Sequence, residues 1–401
     1  SQDQDTAMPE PLWIDDPLSS LIAPTSAEMF FAEYYEQKPL HAQRDEPDRY
    51  AGLLSVDRID EILSGIDLTA DSLEMARAEP RLQVGDFTHK DGLVDRGAVV
   101  RHYQQGATII LPHLHQFDAT LAEFCRAIEE CLCSHIQTNV YLTPPDSQGF
   151  RTHYDDHDVF VVQVSGEKNW KFYSTPIENP YRGERFRSDV HEAGDPVHEF
   201  LLKAGECAYL PRGLMHDAVS TGSEPSLHIT VGVIVKTWAD LMLEAVSEVA
   251  LREPKFRRSL PYGFARDGYE RADAEAYFRD LIGSFAKEAN FDETFELFVE
   301  NFIRSRAAVT RGGVLSATEA IDPQDRFQRR RHAPARLRYN DDTALLIGPE
   351  GEIKFERGAV PGLEVALSGV PFSLEAFGDI DSTMALDSLK KLIAFGLVAK
   401  I

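Results

Sequence analysis

The run Arg151-Thr-His-Tyr-Asp-Asp-His-Asp-Val-Phe-Val-Val-Gln-Val164 decides how the chain is read. It joins a cluster of metal-ligating side chains to an apolar, β-branched stretch with the composition of a strand. His153 and Asp155 are two residues apart, and on an extended chain such residues face the same way. The spacing predicts that both point into a barrel. There a neutral imidazole from another strand would complete a set of two histidines and one carboxylate, leaving three positions on Fe(II) open. His216 is the candidate for that third ligand. It follows the strand-like Cys207–Leu210 and the turn Pro211-Arg-Gly213, which returns the chain towards the barrel interior.

His157 is the competitor, because His153 and His157 at i, i+4 would suit a helical zinc site. Such a site needs Glu directly after the first histidine, and Tyr154 stands there. The run Val159-Phe-Val-Val162 also argues against a helix. A His-x-acid pair alone says little, since thirteen histidines and 66 acids in 401 residues make such pairs expected by chance. The other such pair, His89-Lys-Asp91, lies in a polar, turn-like segment and reads as a solvated loop.

Short β-rich runs continue outward: Thr138–Leu142, Val159–Val164, Lys168–Tyr173, Cys207–Leu210 and His228–Val235. Turn signals separate them without intervening helices, which predicts an antiparallel sandwich or barrel. Alternation puts Asn139 and Tyr141 on one face of the first run. It puts His228, Thr230 and Gly232 on one face of the last. Lys168 shares a face with Trp170 and Phe172, and an ammonium there is costly unless an anion satisfies it. Together these faces predict a polar-lined cavity.

The flanks read as helical. The first eighty residues are helices punctuated by Pro and Gly, and Phe117 to Leu132 is amphipathic with Asp118 as its cap. Thr237 to Leu251 is helical again. Ala272 to Ala307 carries one long helical pattern whose phenylalanines suggest packing between subunits. The last ninety residues end in a helix, a glycine and a short strand, compatible with a small winged-helix unit.

The 401 residues include 66 acids and 41 bases, a net charge of −25. That sign disfavours nucleic acid and favours a cationic partner. One segment differs: Arg326 to Arg338 holds six arginines and no acid, and reads as a linker or a surface paired with the protein's own acids. No apolar run approaches the roughly 20 residues of a membrane span, and no leader is visible. Four cysteines are too few for a disulfide framework, which leaves a reduced, cytoplasmic protein as the expectation.

Three stretches carry a family resemblance. They are Asn139-Val-Tyr-Leu-Thr-Pro-Pro-Asp-Ser-Gln-Gly-Phe150 running on to His153-Tyr-Asp-Asp156, then Gly166-Glu-Lys-Asn-Trp-Lys171, and Gly205-Glu-Cys-Ala-Tyr-Leu-Pro-Arg-Gly-Leu-Met-His216. Together they resemble the JmjC-type ribosomal oxygenases, Fe(II)- and 2-oxoglutarate-dependent hydroxylases of ribosomal-protein side chains. The resemblance implies an α+β chain with a double-stranded β-helix (jelly-roll, cupin-like) core, a helical dimerisation region and a C-terminal winged-helix domain. The corresponding segments are 1–236, 237–310 and 311–401.

By the same resemblance His153, Asp155 and His216 ligate iron, and Lys168 binds the distal carboxylate of 2-oxoglutarate. Asn139, Tyr141 and Thr230 line the cosubstrate pocket, while Tyr141 and Gly232 meet the substrate. O2 is the second cosubstrate, and a homodimer acting on a basic ribosomal protein is implied. The histidyl hydroxylases of the family resemble His-x-Thr-x-Ser where this chain has His228-Ile-Thr-Val-Gly232. Bacterial arginyl hydroxylases resemble glycine there, but carry arginine where Lys168 stands. The target is therefore arginyl or histidyl. The alternatives are a hydroxylase of a small molecule or a non-ribosomal peptide, and a nucleic-acid-binding regulator acting through the C-terminal domain.

Overall fold

The structure, a computed structural model, describes residues 11–147, 151–181, 183–378 and 380–401. Gln148 to Phe150 of the family-like stretch lie outside the described residues. The chain divides into two compact units, one ending at Val235 and one starting at Lys236.

The first unit is built on ten strands: β1 (Leu40–Ala42), β2 (Glu74–Ala76), β3 (Thr108–Pro112), β4 (His135–Thr143), β5 (Asp158–Ser165), β6 (Glu167–Phe172), β7 (His198–Lys203), β8 (Cys207–Leu210), β9 (His216–Ser220) and β10 (Ser226–Ile234). Seven form an antiparallel sheet in the order β1-β8-β5-β10-β4-β3-β2, and three form a second sheet, β7-β6-β9. From β5 to β10 the chain passes back and forth between the sheets, with β5, β8 and β10 in the larger and β6, β7 and β9 in the smaller, as in a jelly roll.

Both faces of the seven-stranded sheet are covered, which explains why β5 reads as a continuous apolar run. Phe160, Val162 and Val164 point outward with Val140, Ile229 and Val231, against Trp13, Leu21, Phe30, Phe124 and Ile128 of the N-terminal helices. Val159 and Val161 point inward with Ala208 and Leu210 and meet Trp170, Phe172, Leu202 and Ala218 of the smaller sheet. Each such buried side chain contributes about 1.5–3 kcal/mol. The helix Ala119–Leu132 on the outer face starts where expected, with the Asp118 carboxylate accepting from the Leu121 N–H at 2.9 Å.

The segment before residue 80 is not wholly helical. Leu40–Ala42 and Glu74–Ala76 are short strands that become the two edges of the large sheet.

In the second unit the single helical pattern from Ala272 resolves into two helices, Ala272–Glu288 and Phe291–Arg304. Asn290 separates them, its side-chain oxygen capping the second helix at the Glu293 N–H. Further along, the strands Arg336–Tyr339, Thr343–Gly348 and Gly351–Glu356 form an antiparallel sheet. A separate core gathers Leu346, Leu363, Leu389, Leu392 and Leu397. Much of the Arg326–Arg338 cluster is engaged within this unit. Arg336 and Arg338 pair with Glu296 and Glu300, and Arg329 and Arg330 donate to backbone carbonyls.

A buried ion network anchors the turn that precedes His216. Asp158, fully buried at the start of β5, accepts from the Arg212 backbone N–H (2.9 Å), the Arg212 guanidinium (3.2 Å) and the Tyr209 hydroxyl (2.8 Å). Arg212 also reaches Glu36 at 2.7 Å. Truncation would strand a carboxylate in the interior. Arg212→Ala is expected to cost about 3–5 kcal/mol, read as a lower urea midpoint at unchanged slope. A shift below ~1 kcal/mol would show the network to be dispensable.

Candidate metal centre

The two histidine ligands proposed from sequence are neighbours through their backbones. His153 and His216 form an isolated antiparallel bridge, with His216 N–H donating to the His153 carbonyl (2.8 Å) and His153 N–H to the His216 carbonyl (3.2 Å). The segment around His153 is therefore a loop making one bridge, not the strand that the alternation predicted. His153 and Asp155 still converge, because the Asp155 carbonyl accepts from the Gly213 N–H at 3.0 Å, fixing the loop against the turn before His216. Gly213 has φ +88°, and a Cβ there would lie 2.2 Å from the Ile177 carbonyl oxygen, so the turn requires glycine. Asp217 completes the brace by accepting from the Thr152 and Tyr173 hydroxyls, both at 2.6 Å.

The ligand atoms of His153, Asp155 and His216 all lie within 4.8 Å of one another. Asp155 oxygens stand 3.6 Å from His153 Nε2 and 3.5 Å from His216 Nε2. Each imidazole turns Nδ1 to a carbonyl, His153 to Arg151 (2.7 Å) and His216 to Leu214 (2.9 Å). A carbonyl only accepts, so Nδ1 carries the proton and the Nε2 lone pairs face Asp155. Burial pushes the His216 imidazole down to about 4, which keeps it in the neutral, ligating form. Burial also lowers His153, but contact with Asp155 outweighs this and leaves it raised. For Asp155 burial acts upward, and the flanking imidazoles overcome it to hold the carboxyl well below the usual range.

His157 stays outside this group, and its Nδ1 sits 3.4 Å from Asp156. His89 and Asp91 lie in a loop far along the chain, where Asp91 accepts from the Leu93 N–H.

The polar faces predicted from alternation come together in register. Tyr141 pairs with His228 and Asn139 with Thr230 across β4 and β10, and the Thr230 hydroxyl donates to the Asn139 carbonyl. Lys168 on β6 is 1% exposed, its Nζ 5.9 Å from the Tyr141 ring centre. Burial pushes the ammonium down to about 7.

His228 was not singled out as a site residue, yet it is fully buried and neither ring nitrogen makes a hydrogen bond. It stacks on Tyr141 at 4.8 Å and meets the Trp170 edge at 5.8 Å. Burial, reinforced by Lys168, pushes its pKa well down. Its signal in the sequence was the face shared with Thr230. A buried lysine beside an orphaned imidazole is the chemistry of an anion cradle. Gly232, on the same face, is buried, and a Cβ there would come 2.8 Å from the His157 ring.

Known proteins are similar to this chain. Residues 111–241 match the JmjC domain. A bifunctional lysine-specific demethylase and histidyl-hydroxylase NO66 of Aedes aegypti is 34% identical over 67% of this chain and 43% of its own length. Ribosomal oxygenase 1 of Danio rerio is 33% identical over 81% of this chain and 66% of its own length. The chain spans about half the length of the curated relatives it matches. The structure of YcfD, a ribosomal oxygenase from Escherichia coli in complex with cobalt and 2-oxoglutarate, superposes with a TM-score of 0.53. That match covers 95% of this chain and 99% of the other at 14% identity, a likeness of fold.

The contact between Gly232 and His157 is open to a double-mutant test. Gly232→Ser is expected to cost about 1–3 kcal/mol by crowding the imidazole. His157→Ala should recover most of that loss in the double variant, as measured by urea unfolding of all four proteins. Additive losses would mean that the two residues do not compete for the same space.

Proposed function

The chain belongs to the JmjC-domain family of ribosomal oxygenases, and from that membership we propose that it is an Fe(II)- and 2-oxoglutarate-dependent oxygenase hydroxylating an arginyl or histidyl side chain of a ribosomal protein. The observation that carries the reading is the donor set, two imidazoles with Nδ1 anchored and Nε2 turned to one carboxylate. This fits Fe(II), for which two histidines and a carboxylate leave positions open for substrate groups. Bound there with 2-oxoglutarate and O2, iron supplies the oxidation of an unactivated C–H to C–OH, with succinate and CO2 as co-products.

The rest is the work of this chain. His153, Asp155 and His216 hold the metal from one side. Lys168 pairs with the far carboxylate of 2-oxoglutarate, and His228, whose ring nitrogens make no hydrogen bond, lies beside it as a second polar contact. Asn139, Tyr141 and Thr230 line the same pocket, and Tyr141 and Gly232 face the substrate. Trp170 and Phe172, both buried, keep water from the inner wall.

The proposal extends to the whole chain as a catalytic segment (1–236), a dimerisation region (237–310) and a winged-helix-like unit (311–401). Supporting a homodimer, the helix Trp238–Arg252 leaves Trp238 72% and Leu251 73% exposed, and Phe278, Phe291 and Phe295 follow on the next helices. Among the described residues no helix is long and apolar enough to cross a membrane. With a ribosomal protein as substrate we read the activity as cytoplasmic, and the net charge of −25 favours encounter with such a cationic protein.

His153→Ala is expected to abolish tight Fe(II) binding, succinate release and the 16 Da mass gain on ribosomal proteins, with the fold retained. Full metal content and turnover in that variant would sink the reading.

Lys168 adds a pH signature. Without an anion it loses its proton near pH 7, so above that pH a bound dianion must restore the ammonium. Titration calorimetry at pH 8 in buffers of different ionisation enthalpy should register uptake approaching one proton per 2-oxoglutarate. At pH 6 it should register almost none. Equal values at both pH would remove Lys168 from the cradle.

A further inference from the structure

Beside the metal centre lies a cavity of about 730 Å³, lined by Met75 and Ala76 of β2, Arg77 and Arg81 of the loop that follows, and Arg151 next to His153. Its charge runs against that of the molecule. The chain carries 66 acids and 41 bases, yet this wall presents three guanidiniums and one carboxylate, Glu79. Elsewhere arginines are paired with acids: Arg49 with Glu46, Arg96 with Asp67, Arg126 with Glu129, Arg336 with Glu296. Among the described residues no ion pair involves Arg77, Arg81, Arg151 or Glu79. Arg77 donates to the Pro80 carbonyl and, at 3.4 Å, to Gln105.

Three unneutralised cations around a concave wall next to a metal centre make a site for an anion, since guanidinium grips a carboxylate through paired N–H bonds. Among the described residues β2 pairs only with β3, and so lies at an edge of the large sheet. Such an edge can accept an extended peptide as an added strand. A polyanion is opposed by the net charge of −25, whereas a single carboxylate is not.

We propose that this cavity is a specificity site for an acidic side chain that flanks the target residue in the substrate polypeptide, read by Arg77, Arg81 and Arg151. The inference rests on the reading of the centre as a protein hydroxylase and makes it narrower. The substrate is cationic overall, but carries Asp or Glu close to the hydroxylated residue.

The test uses the full chain loaded with Mn(II) and fluorescein-labelled peptides of equal length, with Glu, Gln or Lys beside a central His or Arg. Anisotropy titrations should show the Glu peptide binding about 5-fold tighter than Gln, with Lys weakest, and the gap shrinking as salt rises. Arg81→Glu and Arg151→Glu should each reverse the order, while Arg81→Lys keeps it. Affinity that ignores the flanking residue, absence of peptide binding, or tighter capture of a short RNA would overturn the inference. Mass analysis of the same peptides after incubation with Fe(II) and 2-oxoglutarate separates the two levels. Hydroxylation regardless of flanking charge leaves the hydroxylase reading and removes this inference. Charge-selective binding of peptides that are never hydroxylated does the reverse.

Discussion

Two backbone hydrogen bonds exchanged between His153 and His216 carry the centre. They join a loop before β5 to the first residue of β9, and bring together side chains that the chain order keeps far apart. A bridge of this kind fixes both Cα positions at once, so the imidazoles need only their Nδ1 anchors to aim. The surrounding structure protects that bridge. Gly213 permits the turn, the Arg212–Asp158 pair holds it against β5, and Asp217 ties the loop to Tyr173. Stability and chemistry therefore share the same few bonds.

Strands β4, β5, β6, β8 and β10 were legible in the sequence as apolar or alternating runs, whereas β7 and the buried β9 were not read. β8 begins and ends at Cys207 and Leu210 as read from its apolar run, and β5 and β10 differ from their expected ends by one or two residues. The edge strands β1 and β2 have three residues each, too few for any periodicity to register. The break at Asn290 also went unread, because it contains neither Pro nor Gly and the phenylalanine pattern continues across it. At the site, the candidate ligands were visible as residue types, but the anchors of their Nδ1 atoms were not. Both are backbone carbonyls two residues away, which leave no trace in side-chain identity. His228 was hidden for a related reason. An imidazole lacking hydrogen bonds is a statement about its surroundings, and no single strand reports it.

Electrostatics act at two ranges in this molecule. The net charge of −25 produces a long-range field that concentrates cations near the surface and weakens over about 8 Å at physiological salt. The three arginines beside His153 act only at contact distance. Opposite signs at the two ranges are compatible, since one governs encounter and the other governs fit.

Lys168 and His228 give the fold a liability that an anion can remove. Burial disfavours the charged lysine, and the orphaned imidazole forgoes the hydrogen bonds it would make in water. An anion bound beside Lys168 and His228 would bind the native chain and not the unfolded one, and so would raise stability by mass action. An anion held in this pocket would therefore guard the native chain against opening, and with it against proteolysis of the opened form.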